Sequence, residues 1–389
     1  AEDGLRYLVL SRGRGDVYKR QPFPFLRNLY LKCLCLHHSR HQYHWHTAYE
    51  PPLTVAAPHI GSWVSRTLGP LNPDLPAFID IGQTFDSGEK ESLKAFHTAG
   101  FLGSEFSPFF LVEPDQAVEA VKPPDGMSDT RFAKRYKEYK KLLASSPIQQ
   151  HGSEHQKESL LKSIDNAHRL LSSPKARKAF DLSLESKESY DTYKVGGRFG
   201  LGCLLAKRLT EAGARFIEVT HGYYPFKYWD THDNGHTKMK DLKKMIDAPI
   251  AQLVLDLEKS KLLDRTLIVV ASEFSRDMMM EGKPEKRVKD QVKVPARIDG
   301  PQHYGMHRHF TGAGSVLLFG GGIKKGFVYG ETADERPCTT IKDPINTQQL
   351  HATMYQALGI PHDHHYNVEQ RPFYVTPDGV TEPVMDLFG

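Results

Sequence analysis

From residue 214 onward, short unbroken apolar runs alternate with longer stretches in which apolar positions recur every three or four residues. Ala214 to Thr220, Thr266 to Ala271 and Ser315 to Phe319 have the length and composition of buried strands. Residues 237 to 259 and 346 to 358 carry the spacing of helices, and a polar insert runs from Met278 to Tyr304. Strand, helix, strand alternation predicts an α/β fold with a mainly parallel central sheet and helices on both of its faces. Upstream, Leu75 to Ile81 reads as another buried strand between turn formers. Residues 127 to 212 read as a helical insert, with helical spacing over 131 to 143, 155 to 171 and 198 to 212. No internal repeat divides the chain, so residues 29 to 389 are expected to form a single domain.

Ligands of such sheets sit at the carboxyl ends of the strands, and polar clusters fall there. After the first run comes Tyr228-Trp229-Asp230-Thr231-His232-Asp233-Asn234-Gly235-His236, which offers Asp230, His232 and His236 as metal ligands. After the second comes Glu273, with Arg276 three residues on, and before the third stand His307, Arg308 and His309. Alternation aims His307 and His309 the same way if that stretch is extended. Carboxylate oxygen with imidazole nitrogen suits zinc first, with manganese or iron as alternatives, better than calcium. The planar guanidinium of Arg276 or Arg308 matches phosphate or sulfate oxygens. Each cluster taken singly also reads as a solvated capping loop or a surface ion pair; three at corresponding strand ends point to a site.

Composition adds the histidines. Twenty are present, bunched at 37 to 46, 221 to 236, 303 to 309 and 351 to 365. His37, His38, His41, His44 and His46 read either as loop residues packed with Tyr43 and Trp45 or as completing a site beside the strand ends. A net charge of +4, with acids interleaved among the bases, gives no footing for nucleic acid. No apolar run is long enough to span a membrane. The four cysteines make no disulfide framework. Asp16 to Gln21 matches the peptide that a widely used sequencing-transposon end encodes in one frame. Residues 1 to 21 are therefore expected to be foreign, residues 1 to 28 a non-native or disordered leader, and the native N-terminus missing.

The string from Ala214 to Asp386 resembles the domain-of-unknown-function family 1501, a branch of the alkaline-phosphatase-like superfamily that includes sulfatases. The resemblance rests on Tyr228 to His232, on Leu263 to Leu267 leading to Glu273-Phe274-Ser275-Arg276, on His309 with Ser315 to Gly322, and on Leu350-His351-Ala352-Thr353. His37 to His46, Gly61 to Ser65 and Leu75 to Phe78 extend it to roughly residue 30. It implies an alkaline-phosphatase-like sheet whose first strand is missing here. Asp230 with His232 or His236 looks like one ligand set, Glu273 stands for the acid of an Asp-His pair whose histidine is replaced by Phe274, and His309 resembles a later ligand. The implied activity is metal-dependent hydrolysis of phosphate or sulfate esters on a small molecule or polysaccharide, impaired in this chain and exported or periplasmic in its full-length parent. The alternative is a non-catalytic, metal-stabilised binding protein of the cell envelope. No Cys-x-Pro-x-Arg string is present, so a formylglycine nucleophile is unsupported and the nucleophile is expected to be missing.

Overall fold

The computed structural model describes residues 25–26, 38–50, 55–83, 98–222, 228–232, 235–278, 307–334, 339–368, 370–377 and 379–389, and at 25–26, 236, 277–278 and 307–308 their backbone alone. Strand β1 (Phe25–Leu26) precedes helices α1 (His38–Thr47) and α2 (Ile60–Leu68), then strands β2 (Phe78–Ile81) and β3 (Phe109–Leu111). The helical section is α3 (Asp129–Ala144), α4 (Pro147–His151), α5 (Glu154–Ser172), α6 (Pro174–Phe180), α7 (Lys187–Lys194) and α8 (Gly197–Glu211). Next come β4 (Phe216–Val219), α9 (Gly235–Lys259), β5 (Ile268–Val270), β6 (Ser275–Met278), β7 (His307–Phe310) and β8 (Val316–Phe319). The chain closes with β9 (Val328–Tyr329), β10 (Glu331–Thr332), β11 (Thr340–Lys342), α10 (Thr347–Ala357), β12 (His365–Val368) and β13 (Arg371–Tyr374).

β2 is buried at all four positions because it is the centre of a three-stranded parallel sheet, β3-β2-β4. Ile79, Ile81, Ile217 and Val219 point to the α8 side, where Leu201, Leu204, Leu205 and Leu209 cover them. Gly202 permits that approach, since a Cβ there would lie 2.8 Å from Val219 Cγ1. Phe78, Asp80, Phe216 and Glu218 point the other way, towards α2. Gly61 admits α2 closely enough that a Cβ would meet the Phe216 and Phe78 rings at 2.7 and 2.8 Å. The register sets Asp80 beside Glu218, so this apolar sheet carries two carboxyls on one face.

A second sheet has the order β5-β8-β1-β9. Val254 and Leu257 of α9 pack on Ile268, Val270, Leu317 and Phe319. The opposite face, with Val316, Leu318 and Val269, packs against Leu350 of α10 and Trp45 of α1. Both sheets are thus covered on both sides, as expected; β3-β2-β4 is parallel throughout, but a large, mainly parallel central sheet is not shown among the described residues. β8 pairs antiparallel with β5 and with β1; β1 and β9 are parallel. The reason lies in the polar insert. The chain runs out along β6 and back along its antiparallel partner β7 before entering β8, and no described helix supplies the crossover that a parallel neighbour needs. β1 also lies within the leader expected to reach residue 28, so the sheet recruits residues 25–26 of it. The adapter-like residues 1 to 21 lie outside the described residues.

Candidate metal centre

Asp230 and His232 stand in the loop after β4, shaped by a left-handed backbone at Tyr228 (φ 46°) and by Trp229 Nε1 donating to His221 Nδ1 at 3.0 Å. Arg276 of β6 donates to the carbonyls of Trp229 and Thr231, each at 3.4 Å, and to Asp230 Oδ1 at 2.6 Å. His309 of β7 is the register partner of Arg276, so both side chains leave the strand pair on the same side. His309 Nε2 lies 3.2 Å from Asp230 Oδ1 and His232 Nε2 lies 3.0 Å from it. His38, the first residue of α1, places Nε2 3.0 Å from the same oxygen and bonds Glu273 Oε1 through Nδ1. The Phe274 ring wedges among these groups, with centroids 4.8 Å from His38 and 4.4 Å from His309.

The set is nearly closed to water: His38 is 3% exposed, Asp230 4%, His232 4% and His309 8%. Burial alone would depress His38, but its bonds to Asp230 and Glu273 outweigh that and raise it to about 9. Burial would likewise raise Asp230, and the bonds from His232, His309 and His38 hold it far below the usual carboxylate range. Glu273 is lowered too, burial being outweighed by its bond and charge interaction with His38. His41, one turn along α1, sits edge-on to Phe274 at 5.1 Å, and neither of its ring nitrogens has a partner among the described residues. Burial lowers it to about 4, so it is neutral.

Three imidazole nitrogens and a guanidinium crowd one carboxylate oxygen, which offers about two lone-pair directions. Such crowding suits a cation that would share those nitrogens with the carboxylate. One ligand atom each from His38, Asp230 and His309 lies within 4.8 Å of the others, so this grouping could hold a metal ion. The tautomer fits: with Nδ1–H on Glu273, His38 keeps the Nε2 lone pair for a metal, the carboxylate–histidine arrangement that orients a ligand. Glu273, expected as a ligand, lies outside that grouping and bonds the other nitrogen of His38.

A second grouping, His46, His59 and Glu218, is equally tight but fails the same test. Its distances are 3.0 Å from His46 Nε2 to Glu218 Oε1 and 2.9 Å from His59 Nε2 to Oε2. His59 Nδ1 accepts the Gly61 N–H at 2.9 Å as the N-cap of α2, so the neutral ring carries its proton on Nε2, where a metal would have to bind. This is a hydrogen-bonded carboxylate, not a ligand set.

The structure thus gathers Asp230, His232, Glu273, Arg276 and His309 of the residues singled out from sequence. The side chains of His236, His307 and Arg308 lie outside the described residues. His38 and His46 were left open between loop packing and a site, and His59 and Glu218 were missed, although His38, His41 and His44 recur at a helical interval of three. Fold and site together define an α/β protein with a buried His/Asp grouping able to hold a metal ion. Residues 23–387 match the family described as Protein of unknown function (DUF1501), and the chain belongs to it. No curated protein matches the chain.

Proposed function

We propose that this protein is a metal-dependent hydrolase of phosphate or sulfate esters whose divalent ion, zinc in the first instance, is held by His38, Asp230 and His309. The observation that carries the reading is this buried set of two imidazoles and one carboxylate, the ligand count of catalytic sites that keep a position open. When bound, a divalent ion there would act as a Lewis acid and neutralise charge developing on the transferred group. Glu273 holds the His38 ring with Nε2 turned inward. Arg276 and His232 each donate to Asp230 and fix the angle of its carboxylate, and Phe274 keeps water off the ligands. The resemblance to the alkaline-phosphatase-like superfamily supplies the substrate class.

The near-complete burial of the four residues favours a second reading, a metal-stabilised binding protein without turnover. Hydrolysis of p-nitrophenyl phosphate and p-nitrophenyl sulfate, assayed with added zinc, manganese or iron and again with chelator, separates the two. Chelator-sensitive turnover supports the hydrolase; metal retained without turnover of either ester supports the binding protein.

A further inference from the structure

We infer that Glu218 is a positioning residue: by bridging His46 and His59 it fixes α1 against β4 and thereby sets His38 opposite Asp230. The inference rests on the reading that His38 and Asp230 hold a metal. α1 is a ten-residue helix, HSRHQYHWHT, with no acid in its first turn and little apolar surface. A helix this short has marginal stability alone, so what holds it is tertiary. His38 opens it, and His46 lies eight residues on, about 12 Å along the axis at the α-helical rise. Glu273 and Asp230 meet the N-terminal end, where negative charge is favoured, and Glu218 meets the C-terminal end, where His46 lies in the last turn.

The protons of the bridge can be assigned. His46 Nδ1–H donates to Gln42 O at 2.7 Å, so its Nε2 can donate to Glu218 only when the ring is an imidazolium. His59 is neutral and donates Nε2–H to the other oxygen. One carboxylate thereby ties the end of α1 and the N-cap of α2 to β4. β4 is the strand whose following loop delivers Asp230. Ligands from two elements, 192 residues apart in sequence, are therefore held in register by a contact remote from both.

Glu218→Gln can keep this bridge. Its carbonyl accepts from His59, and its amide donates to a neutral His46 that still bonds Gln42. Glu218→Ala removes it. Full-length wild type and both variants, stripped by chelator, are to be titrated with zinc, while backbone amide exchange is followed over residues 38–47. Glu218→Ala is expected to bind zinc about 10- to 100-fold more weakly, with Glu218→Gln within about threefold of wild type. Amides of α1 are expected to exchange at least about tenfold faster in Glu218→Ala and near the wild-type rate in Glu218→Gln. Should Glu218→Ala not fold, His46→Ala, which removes one of the two bonds, carries the same expectation. The inference is overturned if the alanine variant matches wild type in both measurements, or if the glutamine variant falls as far as alanine. A wild type that binds no zinc sinks the metal reading instead, and the exchange measurement then decides alone whether Glu218 fixes α1.

Discussion

Asp230 accepts from three imidazoles and a guanidinium while only 4% exposed, so its charge matters to the fold as well as to a metal. Asp230→Asn therefore acts on both. The variant is expected to lower zinc affinity by more than about 100-fold and to cost the metal-free protein on the order of 3 kcal/mol, since Arg276 and His38 lose their counter-charge. Zinc titration and urea unfolding check the two effects. Glu273→Gln leaves the ligands in place but removes the carboxylate behind His38, and a loss of about 10- to 100-fold in zinc affinity is expected. His351 supplies a pH dependence away from the cluster. Burial lowers it to about 3, against a bond from Nε2–H to Trp45 O at 2.6 Å, and its buried Nδ1 has no partner among the described residues. A folded pKa below the unfolded value of about 6.5 means that the unfolded chain takes up the proton first. Stability from this residue is therefore complete above about pH 6.5 and is lost as pH falls towards 3. Urea midpoints between pH 7 and 4 should fall less steeply in His351→Gln than in wild type.

At the scale of elements, apolar spacing located the five longest helices and four of the strands to within a few residues, because those segments bury a face. Residues 346 to 358, for instance, read as helical, and α10 spans Thr347–Ala357 with Asn346 as its N-cap in a capping box with Gln349. Removing that cap by Asn346→Ala is expected to cost about 1 kcal/mol, read as a lower urea midpoint. α1 escaped for a physical reason: its inward face is imidazole, so no apolar stripe announces a helix, and its partners lie far along the chain. Polarity also concealed the role of Glu218, which alternates properly within β4 but faces two histidines instead of solvent. Close helix packing was equally silent. A Cβ on Gly196 would lie 2.4 Å from Met245 O and from Pro249 Cγ of α9, so Gly196→Ala is expected to destabilise the protein by about 1–3 kcal/mol, again measured in urea.

For the whole molecule, the described residues show a small parallel sheet and a second, mixed sheet where the alternation suggested one large parallel sheet, and α1 reaches groups associated with both. His46 bonds Glu218 in the first sheet, while Trp45 packs against the second. Strand direction was not legible because apolar runs are the same read either way; only the insert between β5 and β8, where no described helix supplies a crossover, carried that information. Leu318, 1% exposed at the centre of the second sheet, reports on global stability. Leu318→Asp would bury an unpaired charge at a cost of several kcal/mol, a large part of what holds a typical domain together, and should leave little folded protein by circular dichroism. The proposed metal centre is tested most directly by titrating chelator-stripped wild type, His38→Ala and His309→Ala with zinc, with elemental analysis of each after dialysis. Saturable binding in wild type, weakened by more than about 100-fold in both folded variants, is the expected result. Absence of binding in wild type, or binding left undiminished by His38→Ala, would contradict the assignment of His38, Asp230 and His309 as its ligands.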